Sequence, residues 1–444
     1  MKRIALVLAS SAFFAACAFD HPAVPPGGPP NDMLYRASFT LVSDSCNFAA
    51  IPKDGWLSNV DLYQRFDGTF DLSLDAHLPT SYTQFAQIAI AADGAVEYQT
   101  PPSDYGIMTK PQTVVGYVDS TRLDLKITRN DLSPQGECQS VFTLQGVPRA
   151  LHASASIDGL YRMSGTIRDT TCPGADPIPP DSAEPFALNG DILPIADGRV
   201  RMTISGSWFE PKLADFASGW KGLISFPDGF GGTSAMAAVV TGHVGYDGID
   251  IAIDLDASQD FGPGCVTHYR MTGAKLTFDP ADLANDYRSR TVWQTCDGKP
   301  AQIADAPMSI FAKADGTYDL FDSQGNETIF TRAADGSLTA SSPYVVEGDQ
   351  LTYTVLSTNP LHYTVVDSYD DGFSTPCVTT QDTTAVVRFA SDDGAATASA
   401  LTLAGPSLPV PQFSYAPEQR FRQRIARIIR TRDLHGYERL SPSR

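Results

Sequence analysis

Three Tyr-Arg pairs, Tyr35-Arg36, Tyr161-Arg162 and Tyr287-Arg288, stand 126 residues apart. A cysteine follows each, eleven residues after the Tyr at Cys46 and Cys172 and nine after it at Cys296. A second cysteine closes each unit: Cys138, Cys265 and Cys377. Between them recur Phe66-Asp67-Gly68-Thr69-Phe70, Ala196-Asp197-Gly198-Arg199-Val200 and Ala314-Asp315-Gly316-Thr317-Tyr318. A fixed period with cysteines in register marks internal triplication. The period is a whole domain, so the expected arrangement is beads on a string rather than a solenoid. A chain of 444 residues holds about three domains of ordinary size.

Within each unit the hydrophobic period is two. Phe70, Leu72, Leu74, Ala76 and Leu78 alternate with Asp71, Ser73, Asp75 and His77. Leu123, Leu125 and Ile127 behave likewise, as do Ile249, Ile251, Ile253 and Leu255. Such alternation predicts half-buried antiparallel strands, about eight or nine per repeat from the spacing of turn signals. Of 51 acidic residues 43 are Asp, and twelve of these precede Gly. Asp-Gly suits a type I′ hairpin turn, with both central φ angles positive. The acidity is therefore turn chemistry first, and no loop carries the D-x-[DN]-x-[DN]-G spacing of a calcium site. Short helical turns are expected only over 212–220 and 280–286. If each repeat is self-contained, the disulfides are Cys46–Cys138, Cys172–Cys265 and Cys296–Cys377.

The expected fold is all-β: three tandem antiparallel β-barrel domains, with a two-sheet β-sandwich as the alternative. In strand count and bridge placement each repeat resembles the lipocalins. The Gly-x-Trp signature of that family is missing after the first strand, so its ligand-binding role does not carry over. The domains are expected at 33–150, 151–278 and 279–404.

The ends of the chain read differently. Lys2 and Arg3 precede an apolar run from Ile4 to Phe14, the pattern of a secretory signal at 1–16. Phe14-Ala15-Ala16-Cys17 resembles the lipobox of bacterial lipoproteins. That resemblance implies cleavage before Cys17 and acylation there. Phe14 departs from the pattern, where Leu is usual, and ordinary cleavage after Ala18 is the alternative. Residues 17–32 hold five prolines and form a semi-rigid tether. Ala18 in place of Asp points the resemblance to the outer rather than the inner membrane. At the other end, 405–444 carries eight Arg against three acids. Phe421, Ile425, Ile428 and Ile429 fall at helical spacing after Pro417, predicting a basic amphipathic helix. Arg420, Arg424 and Arg427 are its candidate contacts with an anionic membrane surface, and the acidic barrels of the same chain are the other candidate.

Formal net charge is −19, which argues against nucleic-acid binding. No G-x-S-x-G, H-E-x-x-H, P-loop or G-x-G-x-x-G occurs, so no catalytic residue, metal ligand or cofactor is assigned. Asp250, Asp254 and Asp256 form an acidic row that reads as a solvated strand face, with a cation or glycan contact as the alternative. The expectation is a non-enzymatic cell-envelope lipoprotein whose three disulfide-bonded domains bind a ligand or partner. The alternatives are a structural spacer and an enzyme with a loop-built site.

Overall fold

The computed structural model describes residues 32–389, except 47–55, 75–83, 92–93, 101–110, 120, 134–135, 150, 152–155, 173–185, 196–197, 205–206, 228–232, 259–261, 280, 295–300, 314, 322–326, 343–348 and 370–376. The expected signal and tether, and the basic tail with its expected helix, lie outside the described residues.

Each repeat forms eight antiparallel strands. The first holds β1 (Met33–Asp44), β2 (Trp56–Gln64), β3 (Phe70–Leu74), β4 (Gln84–Ile88), β5 (Ala95–Gln99), β6 (Thr113–Val118), β7 (Leu123–Ser133) and β8 (Gly136–Pro148). The second holds β9 (Gly159–Thr170), β10 (Phe186–Pro194), β11 (Val200–Ile204), β12 (Ser207–Phe209), β13 (Trp220–Pro227), β14 (Thr233–Gly245), β15 (Gly248–Asp256) and β16 (Val266–Lys275). The third holds β17 (Asp286–Gln294), β18 (Gln302–Ala312), β19 (Thr317–Phe321), β20 (Glu327–Arg332), β21 (Leu338–Ser341), β22 (Asp349–Thr358), β23 (Leu361–Tyr369) and β24 (Cys377–Val387).

The order is up-and-down in all three, and the first strand of each repeat pairs with the eighth. This cyclic order makes barrels and excludes the sandwich. The second barrel closes completely, while among the described residues the other two follow the same circle without a ladder between their fourth and fifth strands. A bridge from Ile90 to Val96 joins these strands' neighbourhoods in the first repeat.

Alternation explains the cores. Leu123, Leu125 and Ile127 of β7, and Ile249, Ile251 and Ile253 of β15, are buried inside. Asp250, Asp254 and Asp256 face outward. Burying one such side chain contributes about 1.5–3 kcal/mol, and each barrel encloses its own apolar cluster. Apolar inside and polar outside is the reverse of a membrane-spanning barrel.

The repeated Tyr points inward. Tyr35, Tyr161 and Tyr287 are buried, and their hydroxyls donate to the carbonyls of Asp119, Ile157 and Leu283. Burial first, then nearby Asp158, pushes the Tyr161 phenol up to about 12.

The hairpin turns differ from the type I′ expectation. At 65–69, 313–317 and 333–337 the glycine N–H donates back to Arg65, Lys313 or Ala333, and among the described residues of these turns only the glycine has positive φ (83°, 83° and 85°). These are three-residue loops, a type I turn followed by a left-handed glycine. The Asp instead accepts from the N–H two residues on, at Thr69, Thr317 and Ser337. Of the two expected helical turns, the first is a 3-10 helix at Leu213–Ala217 that buries Phe216. The second is an irregular linker held by the Asn285 side chain, which donates to the carbonyls of Asp279 and Asp282.

Beads on a string is also corrected: each barrel touches both others. Leu34, Leu151, Leu276, Phe278 and Phe389 form an apolar hub drawn from all three repeats. Phe278 and Phe389 meet edge to face at 5.5 Å. Both have positive φ, 55° and 54°, a strained region for an aromatic residue that packing must hold in place.

Candidate functional site

An up-and-down barrel separates its connections into two ends. At the hub end lie tight turns such as 65–69, 195–199, 313–316 and 333–337. At the opposite rim lie the longer connections: 45–55, 75–83 and 100–112 in the first barrel, 171–185 and 257–265 in the second, 295–301, 342–348 and 370–376 in the third. The disulfides pin this rim. Cys46 is bonded to Cys138, and Cys172 to Cys265. Each ties the end of the first strand to the start of the eighth. Cys296 and the side chain of Cys377 lie outside the described residues, as does Cys17.

The hub end is a set of buried ion pairs. Pairing register aligns the repeats. Arg149 and Arg388 each follow an eighth strand, and their N–H groups donate to Leu34 and Asp286, as Leu276 does to Leu160. Arg149 reaches into the second barrel, to Asp158, Asp191 and the carbonyl of Ile192, while also donating to Asn59 of the first at 2.9 Å. Arg388 of the third barrel repeats the arrangement on the first, bonding Asp61 at 2.6 Å and Asp32 at 3.4 Å. Asp32 and Asp158 are 126 residues apart, and Asp61 and Asp191 occupy matching register positions opposite Leu34 and Leu160. At the third junction the matching residues are Leu276, Ala284 and Ser309. There Arg162 takes over, pairing with Asp286 and stacking on Phe311.

In the second and third repeats the Arg of the Tyr-Arg pair points outward to the next barrel. Arg162 crosses from the second to the third, and Arg288 from the third to the first, donating to Gln64 at 2.9 Å and covering Phe66. Arg65 of the first barrel lies between Asp71 and Asp305 of the third, and Tyr63 donates to the carbonyl of Ser289. Burial opposes the charge of Arg149, but Asp191 and Asp158 overcome it and hold the guanidinium above its ordinary pKa. Asp32 is the reverse case: burial raises its pKa although Arg388 and Arg288 oppose the rise. These groups are aimed at one another inside a closed junction, and their chemistry is that of a lock.

The residues singled out by sequence do not converge. Asp250 pairs with Arg270, Asp254 with His268 at 2.6 Å, and Asp256 caps Ser258. Each has a partner of its own on the outer wall. Among the described residues no group of three or more His, Cys, Asp or Glu could hold a metal ion. His77, Arg420, Arg424 and Arg427 lie outside the described residues. The Arg locks were missed, although the 126-residue spacing of Asp32 and Asp158 was a signal for them.

No family model and no curated protein matches the chain. Among solved structures it is similar to a DUF3598-family protein of unknown function from Nostoc punctiforme, at 12% identity and TM-score 0.19, covering 54% of this chain and 100% of that one. It is also similar to a provisionally assigned outer membrane protein from Bacteroides fragilis, at 11% and 0.17, covering 80% and 96%. A third is a mutant of the vaccine antigen transferrin-binding protein B from Haemophilus parasuis, at 10% and 0.15, covering 81% and 76%. At these scores the likenesses carry no functional argument.

Proposed function

We propose that the chain is a non-enzymatic, lipid-anchored cell-envelope protein that binds a partner through the long connections at the open rims of its barrels. The observation that carries this is the division of each barrel into a locked hub end and a rim of long connections, pinned by a disulfide in the first two. Loops held by a rigid scaffold are where binding residues concentrate. The barrel interiors are packed with the chain's own apolar side chains, which favours surface recognition over an enclosed ligand. The disulfides suit an oxidising compartment, and the signal and lipobox-like Cys17 supply the route and the anchor.

Two experiments test this reading. Palmitate labelling should mark the wild type and not Cys17→Ser; equal labelling removes the anchor. Photo-crosslinkers placed in cells at rim segments 173–185 and 370–376 should give a discrete adduct that outer-wall positions 252 and 270 do not. Packed interiors also favour a structural spacer, and absence of rim-specific adducts with Cys17 labelled would select that reading.

A further inference from the structure

The three barrels are not filled alike. Pairing register aligns their interiors layer by layer from the repeated Tyr toward the rim. Two layers on from that Tyr, the first barrel sets Phe39 against Leu144, and the second sets Gly165 against Met271. The third sets Thr291 of β17 against Thr383 of β24. One layer further, Leu41 pairs with Phe142 and Ile167 with Tyr269, but Trp293 pairs with Gln381.

Burial follows the chemistry. Phe39, Leu144, Phe142, Met271, Ile167 and Tyr269 are all buried. In the third barrel Thr383 is buried, while Thr291, Trp293 and Gln381 are half-buried. Strand alternation carries these residues inward, in phase with buried Tyr287, Ala385 and Val387. Tyr353 of β22 packs on the core from the other side, in the layer of Val365 and Gln381. Asp367 of β23, in phase with Tyr363 and Val365, stands one layer nearer the rim. Both are half-buried. Solvent thus reaches layers of the third barrel that are sealed in the first.

We propose that the mouth of the third barrel seats a neutral sugar residue. This deepens, and rests on, the reading of the rims as the recognition end. The lining supplies both halves of what a pyranose presents. Its C–H faces suit the negative π-faces of Trp293 and Tyr353. Its hydroxyls donate and accept, as do the Gln381 amide and the hydroxyls of Thr291 and Thr383, which lie 3.0 Å apart. The Asp367 carboxylate adds an acceptor. None of these six side chains is cationic, which disfavours an anion. An alkyl chain would strip hydrogen-bonding partners from Gln381 and Thr291. The seat is shallow, because Tyr287, Met308, Ile310 and Phe330 fill the barrel below it. It therefore takes one ring or the end of a glycan rather than a long lipid.

Saturation-transfer NMR on the full chain tests this, with glucose, galactose, mannose and N-acetylglucosamine as probes and choline as the cationic control. A pyranose of about a dozen non-hydrogen atoms binds such a seat at a millimolar level, which the method detects. At least one sugar should receive saturation, and choline none. Gln381→Leu puts back an apolar side chain where the other barrels carry Phe142 and Tyr269. It should keep the urea midpoint at or above wild type while weakening the sugar at least about tenfold. Trp293→Ala should weaken it as well, and Trp293→Phe should restore part of the binding. Silence from all the sugars, transfer to choline in their place, or a Gln381→Leu protein that binds like the wild type overturns the proposal. Rim-specific crosslinks in cells beside silent sugars would sink the sugar and keep the recognition rim, and loss of both would sink the two together.

Discussion

Arg149 shows what one residue contributes. Its side chain is fully buried, yet it bonds two carboxylates and a carbonyl of the second barrel and an amide of the first. Removing one partner of a buried pair costs about 3–5 kcal/mol, because the other charges stay buried. Arg149→Ala should therefore lower urea stability by that order, and a loss under about 1 kcal/mol would show the pairs to be hydrated. Asp119 is the exposed counterpart. Hydrogen bonds from the Thr121 hydroxyl and N–H lower its pKa from 3.8 to about 2. A depressed carboxylate contributes stability above its unfolded pKa and loses it as pH falls through the folded one. The gap in urea midpoint between wild type and Asp119→Asn should be full at pH 6 and close between about 4 and 2. A gap independent of pH would place the effect elsewhere.

At the scale of elements, alternation and period were legible because both are set by burial, which a sequence displays directly. Strand number, inward faces and up-and-down order follow from it. Turn type was not legible. Asp-Gly satisfies a type I′ turn and a three-residue loop alike, and the choice rests on a hydrogen bond from the Thr or Ser that follows. Gly116 and Gly242 were also hidden, although they too are 126 residues apart. Each sits within a strand at positive φ, where a Cβ would meet the carbonyl oxygen of Asp124 at 2.1 Å or of Asp250 at 2.2 Å. Gly316, in a turn, has open space around it. Gly316→Ala should cost about 1 kcal/mol from its left-handed φ alone. Gly242→Ala must also push β15 from β14, and should cost at least about twice that. Equal losses in chemical denaturation would mean the ladder yields freely.

At the scale of the whole molecule, the three barrels form a closed ring, and this was the least legible level. The motif that revealed the repeat, Tyr-Arg, also helps build the ring: each Tyr fills its own barrel, and Arg162 and Arg288 reach the next one. Its partners sit at repeat ends, and the third junction exchanges the lock for Arg162–Asp286. The 3–1 junction is the informative one, since no linker joins those barrels. Arg388 holds it through Asp61, Asp32 and the ring of Tyr63. Arg388→Ala should open the ring at that seam while leaving each barrel core intact. Small-angle scattering should show a larger radius of gyration, near-ultraviolet circular dichroism should change little, and a separate unfolding step should emerge for one barrel. Arg149→Ala loosens a junction that still has its covalent linker, so its radius should grow less. If both variants scatter like the wild type and unfold in one step, the apolar hub and the remaining seam contacts of Arg65, Arg288 and Tyr63 close the ring without these two arginines.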